Sequence, residues 1–114
     1  MSHLSILPTV LRDTECLAAT LASLDLRWRR GGVLVGFGGE HQEVALQVEL
    51  KDGQPLGWAR QHDGSLALVG DLQRISRSTA LQVLLGRITR AYAARLALQE
   101  ASLVLPTASI ELSV

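Results

Sequence analysis

From Arg27 to Gly70 apolar and polar residues mostly alternate with a period of two. From Ser78 to Glu100 the apolar residues Leu81, Leu84, Leu85, Ile88, Tyr92 and Leu96 recur at helical spacing. The first pattern predicts a series of half-buried strands. The second predicts the main helix, which closes a core by laying its apolar face across the sheet. The clearest strand is Glu43 to Leu50, where Val44, Leu46, Val48 and Leu50 alternate with Glu43, Ala45, Gln47 and Glu49. Asp52-Gly53 and Asp63-Gly64 then read as turns bracketing strands over Leu56 to Gln61 and Ser65 to Val69, which makes an antiparallel meander. Gly70-Asp71 ends the meander, Leu72 to Arg77 carry the chain across, and Thr79 with Gln82 forms an expected capping box for the main helix.

The flanking segments are shorter. Leu4 and Ile6 alternate with His3 and Ser5, predicting a strand over Ser2 to Leu7 that Pro8 ends. Asp13 is placed to cap a helix over Glu15 to Leu24, whose Leu17, Leu21 and Leu24 share a face; Cys16 falls off that stripe, at the margin of the expected core. Leu26 to Arg30 and Val33 to Phe37 flank Gly31-Gly32, a hairpin or a bulged bend. The polar Gly38-Gly39-Glu40-His41 connects onward. Beyond Glu100, Ser102 to Leu105 and Ser109 to Val114 read as two short strands around Pro106-Thr107. Strand, helix, about five strands, helix and two strands lack the alternation of a doubly wound fold and any longer repeat. The expected architecture is one α+β domain over residues 1–114, a two-layer sandwich with two helices packed on one face of a mostly antiparallel sheet.

Composition narrows the classes. A chain of 114 residues holds one core and leaves no room for a separate catalytic domain. Hydrophobic residues make up 47% and charged residues 19%, a balance of folded rather than disordered chains, and the 4% of aromatics leaves the core to Leu, Val and Ala. Eleven basic residues offset eleven acidic ones, which removes any overall attraction to nucleic acid or anionic membrane. Cys16 is the sole cysteine, so neither an internal disulfide nor a cysteine-cluster zinc site can form, and a reducing cytoplasm is expected. No basic leader and no apolar run of about 20 residues is present, so a soluble, unexported protein is expected.

Met1-Ser2-His3-Leu4-Ser5, Val35-Gly36-Phe37-Gly38-Gly39 followed by His41, Leu56-Gly57-Trp58, Leu68-Val69-Gly70-Asp71-Leu72-Gln73 and Ala91-Tyr92-Ala93 occur in that order. In order and spacing the chain resembles, nearly end to end, a family of small uncharacterised proteins of cyanobacteria and algal plastids, a domain of unknown function. It departs from that pattern at Leu4, where an aromatic is usual, at Ala91, where a basic residue commonly precedes the tyrosine, and at Asp25, where glycine often ends the first helix. The resemblance implies no activity. It does imply a partner, a AAA-type ATPase, because members are often encoded beside one.

Candidate chemistry is sparse. His41 and His62 sit at loops or strand ends, and an acid-base or metal site would require them to converge with Glu40, Asp63 or Asp71. Gly36, Gly38 and Gly39 lack the Lys-Ser/Thr of a phosphate loop and the helix that a dinucleotide fingerprint requires next, so a tight bend is expected. Arg27, Arg29 and Arg30 surround Trp28, an arrangement that can stack and contact phosphate or simply guard a sheet edge. Asp71 is positioned to accept backbone amides at a turn, or to form an exposed contact with Tyr92 and Trp58 beside it. The shared His3 is a structural or contact residue in the family resemblance. No serine or cysteine nucleophile has a base and an orienter.

The candidate contact residues are therefore His3, Arg27, Trp28, Arg29, Arg30, His41, Asp71 and Tyr92, with no catalytic residue, metal or cofactor expected. The reading is a non-enzymatic accessory domain that holds another protein through a sheet edge or the Arg27 to Arg30 and His41 region. The alternative is a small-ligand or nucleic-acid binding module using the arginine and tryptophan surface.

Overall fold

Leu56, Trp58, Leu66 and Leu68 put four large apolar side chains on one face of two neighbouring strands, and the chain assembles around that surface. The computed structural model describes residues 4–36, 38–51 and 54–104. In chain order the elements are β1 (Leu4–Leu7), α1 (Thr14–Ser23), β2 (Arg27–Arg30), β3 (Val33–Val35), β4 (His41–Glu43), β5 (Leu46–Glu49), β6 (Pro55–Arg60), β7 (Leu66–Asp71), α2 (Leu72–Arg77) and α3 (Thr79–Val104). The main sheet runs β1-β7-β6-β5-β2 and every pairing in it is antiparallel. The fold is α+β.

Registers place Leu7 opposite Leu68, Leu68 opposite Trp58, Trp58 opposite Leu46 and Leu46 opposite Arg30. One row therefore crosses all five strands, with Trp58 in the middle at 2% exposure. β1 and β2 are the two edges, so the segment joining them must cross the sheet, and α1 is that crossing. Leu17, Ala18 and Leu21 of α1 join the sheet side chains in one cluster with Ile75 of α2 and Leu81, Ile88 and Tyr92 of α3. Burying side chains of this size contributes about 1.5–3 kcal/mol each.

Cys16 is not at the margin of this core but inside it, at 1% exposure, its Sγ 3.8 Å from the Tyr92 carbonyl. The leucine stripe marks only the sheet-facing side of α1, and α3 covers a second side that the stripe does not reveal. Burial raises the Cys16 thiol pKa, with the Asp13 charge adding to the rise. Thr20, fully buried on the same helix, satisfies its hydroxyl on the Cys16 carbonyl at 2.8 Å.

The segment from Glu43 to Leu50 is not one strand. The period of two persists while the chain changes partner at Val44-Ala45: Val44 N donates to Gly32 O at 3.0 Å, and Ala45 N donates to Trp58 O at 2.8 Å. Val44 enters a second cluster with Leu34, Ala59 and Val69, whereas Leu46 and Val48 face the main core. Alternation cannot distinguish which of two apolar layers a position faces. Similarly, β2 and β3 do not form a hairpin. Gly31 and Gly32, with φ of 71° and 102°, turn the chain out of the main sheet into a two-stranded sheet of β3 and β4. That hairpin lies over the reverse face at Gly57, where a Cβ would sit 2.8 Å from Val44 Cγ1 and 3.0 Å from Leu34 Cδ1.

Three further expectations change. Among the described residues there are three helices rather than two, because the crossover Leu72–Arg77 coils as α2 before α3 begins. Ser78, not Thr79, caps α3: its Oγ accepts from Leu81 N at 3.1 Å, while Gln82 Nε2 reaches back to the carbonyls of Ile75 and Ser76 at 3.2 and 3.0 Å. Ser102 to Val104 continue α3 rather than starting a strand. Asp52-Gly53, Leu105 and the expected strand Ser109 to Val114 lie outside the described residues, as do His3 and Phe37.

The first helix ends on a left-handed residue. Asp25 has φ 61°, its N donates to Ala22 O at 3.1 Å, and Leu26 N donates to Leu21 O at 3.3 Å. This double closure is the Schellman arrangement, which favours glycine at the position Asp25 occupies. Replacement of Asp25 by Gly is expected to stabilise the domain by about 0.5–1 kcal/mol, because the side chain adds strain there. Urea unfolding checks this, and no gain would contradict the assignment.

Candidate functional site

The candidate residues fall at separate places in the fold. Arg27–Arg30 form the edge strand β2, whose register sets Arg27 opposite Glu49 and Arg29 opposite Gln47 on one face. Trp28 and Arg30 occupy the other face. Trp28 is half-buried against the main core, and the Arg30 guanidinium lies 5.6 Å from its ring centroid. Glu15 of α1 takes two hydrogen bonds from Arg30, at 2.7 and 2.9 Å, and raises the guanidinium pKa further. Both partners are exposed, so solvent screening keeps the contribution of this pair small. Its main effect is positional: it fixes one arginine over Trp28.

His41 stands on β4 in the small sheet, exposed and opposite Val35. Asp71 ends β7, and its Oδ1 accepts from Gln73 N at 3.1 Å and Arg74 N at 3.4 Å, which starts α2. His62 lies in the turn at the far end of the β6-β7 hairpin from Asp71. The intervening strand length is about 17 Å. His41, His62 and Asp71 therefore do not make one site. Among the described residues no three His, Cys, Asp or Glu side chains are grouped to hold a metal ion.

Tyr92 is not a surface contact. It is 4% exposed, and its hydroxyl accepts from the backbone amides of Arg12 at 3.1 Å and Asp13 at 2.9 Å. Trp58 is likewise interior, so no surface joins Asp71 to these two rings. The Tyr92 bond spans 80 residues of sequence and holds the segment entering α1 against α3. Asp13 then accepts from Cys16 N at 3.0 Å, so one aromatic hydroxyl and one carboxylate organise the start of the helix in series. Asp63 performs a similar task in the β6-β7 turn. Ser65 donates to it through its hydroxyl at 2.6 Å and its amide at 2.9 Å, and these bonds hold the carboxyl below its usual range. Its ionised form supports the turn at neutral pH, and that support is lost as pH falls through the lowered value.

The glycines of Gly36 to Gly39 close the β3-β4 hairpin, with Gly36 N donating to Glu40 O at 2.9 Å and Gly38 N to Glu40 Oε1 at 3.2 Å. A carboxylate occupies the place that an anion would need. Three concave surfaces among the described residues are open grooves. One of about 520 Å³ lies between the start of α1 and α3, bordered by Arg12, Glu15, Arg60, Leu96 and Glu100. A second, of about 350 Å³, lies beside α2 at Gln54, Asp71, Arg74 and Arg77. A third, of about 840 Å³, runs along α3 from Ala91 to Ser102. The third groove was not among the expected sites, although Ala91, Ala94 and Leu98 stand at helical spacing away from the core-facing stripe.

A family model described as "Protein of unknown function (DUF1257)" matches residues 20–103. The match takes in β2 through β7, α2 and nearly all of α3, including the buried Trp58 and Tyr92. No curated protein and no solved structure matches the chain. Among the described residues no helix is long and apolar enough to cross a membrane.

Replacing Tyr92 by Phe keeps the ring in the core but leaves the Arg12 and Asp13 amides without their acceptor. The expected loss is about 1–3 kcal/mol of stability in urea unfolding, with an unchanged circular dichroism spectrum in the native state. Unchanged stability would contradict the structural role given to this hydroxyl.

Proposed function

We propose that this chain, which belongs to the DUF1257 family, is a non-enzymatic accessory domain that acts by holding another protein, with a AAA-type ATPase as that partner. The observation that carries the proposal is the inequality of the two sheet edges. β2 presents Arg27, Arg29 and Arg30, the kind of charged border that keeps a strand from pairing with other chains. β1 presents Leu4-Ser5-Ile6-Leu7 without a charge, and Ile6 keeps 49% of its surface exposed at the opposite edge. An uncharged edge is a template for an added strand, because its outward amides and carbonyls find partners in an extended segment of another protein.

Several polar groups suited to chemistry have structural work instead. Asp13 and Asp71 cap helices, Asp63 closes a turn, Glu15 holds Arg30, and the Tyr92 hydroxyl binds two amides. This supports a binding role over a catalytic one. Arg30, already held over Trp28 by Glu15, makes the ring less available for stacking by a nucleic-acid base or an anionic ligand. The sole cysteine is buried, and a reducing compartment such as the cytoplasm suits the proposed role.

Affinity purification of the full chain from its native extract, followed by mass spectrometry, is expected to recover a AAA-type ATPase in stoichiometric amount. The variant Ile6→Lys, folded by circular dichroism, is expected to lower that recovery about tenfold or more by charging the open edge. Recovery of the wild-type chain alone, or full retention of the ATPase by the variant, would overturn the proposal.

A further inference from the structure

Residues 97–102 of α3 form a surface outside the core clusters. Every side chain from Ala97 to Ser102 is exposed, and Leu98 keeps 70% of its surface accessible. Helical turns with little to lie against gain little from water-exposed propensity alone, so an apolar side chain in this position gains from a partner surface. Beside these turns runs the groove of about 840 Å³, between Ser23 at the end of α1 and Ala91, Ala94, Arg95, Leu98 and Ser102 of α3.

The chemistry of this face is specific. Arg87, Ala91, Ala94 or Arg95, Leu98 and Ser102 follow one another at intervals of three or four and so share one side of the helix. The alanines allow a second helix to approach at the close end of the usual 8–10 Å separation, and Leu98 supplies an anchor. Charge on α3 is unbalanced: Arg87, Arg90 and Arg95 face a single acid, Glu100, which borders the other groove. A second copy of α3 would bring arginine-rich faces together, which disfavours self-association through this surface.

We propose that this groove receives an amphipathic helix of a partner protein whose apolar stripe is flanked by Asp or Glu. The apolar stripe covers Leu98 and the alanines, and the carboxylates meet Arg87 and Arg95. The inference rests on the interaction-domain reading but not on the β1 edge, so the two surfaces are tested separately.

The probe is a fluorescein-labelled synthetic helical peptide with leucines at intervals of three and four and glutamates flanking them; its control carries lysine for glutamate. Fluorescence anisotropy with the full chain is expected to report binding of the glutamate peptide, with the lysine peptide at least about tenfold weaker. Leu98→Asp and Arg95→Glu should each weaken the glutamate peptide about tenfold, whereas Ile6→Lys should leave it unchanged. Both substituted positions lie at the groove surface, and native circular dichroism verifies that each variant is folded. Absence of binding, equal binding of both peptides, or indifference to Leu98→Asp would overturn the inference. Successful ATPase recovery with no peptide binding would remove the groove alone; peptide binding without ATPase recovery would remove the edge-and-ATPase proposal alone.

Discussion

The structure depends on Trp58 being covered. Its ring lies midway along a row of opposed residues that crosses all five strands, and α1 together with α3 shields that row from water. A side chain of this size could not remain exposed at the centre of a sheet without cost. The connection from β1 to β2 has to cross the sheet in any case, and the Leu17 and Leu21 stripe makes the crossing a helix. α3 then completes the cover, and the Tyr92 hydroxyl ties it to the chain entering α1.

That arrangement determines which surfaces remain. With the β3-β4 hairpin lying over Gly57 on the reverse face, the surfaces left open among the described residues include the two sheet edges, the grooves beside the start of α1 and beside α2, and the far end of α3. They differ in chemistry: one edge bears arginine, the other is uncharged, and the projecting helix combines leucine and alanine with arginine. Asp13 and Asp71 serve as helix caps, Asp63 closes a turn, and the buried Thr20 and Gln47 donate to the carbonyls of Cys16 and Gly31.

Much of the architecture was legible because it rests on local rules. Asp13 as a cap, the strands either side of Asp63-Gly64 and the long helix all follow from spacing and turn chemistry, and the structure contains them. What escaped depends on which layer a residue faces. Val44 and Leu46 have the same parity, yet one packs behind the sheet and the other in front, because the strand changes partner between them. Tyr92 fits the apolar stripe, but the two amides its hydroxyl serves come from a segment about 80 positions away in sequence, which no periodicity reports. Asp25 is informative in another way: it adopts the left-handed conformation that glycine takes without strain, a backbone requirement that hydrophobic periodicity does not report.

The central claim is that the sheet, α1 and the middle of α3 form one cooperative unit around Trp58, while the last turns of α3 extend beyond it. Native-state hydrogen exchange tests this residue by residue. The account predicts that amides of β6, β7, α1 and the Ile88 to Tyr92 stretch exchange together, only through global unfolding, and that amides from Ala97 to Ser102 exchange far faster. Rapid exchange throughout α3 while the sheet stays protected would contradict it, since the long helix would then be an appendage and Trp58 would owe its burial to something else.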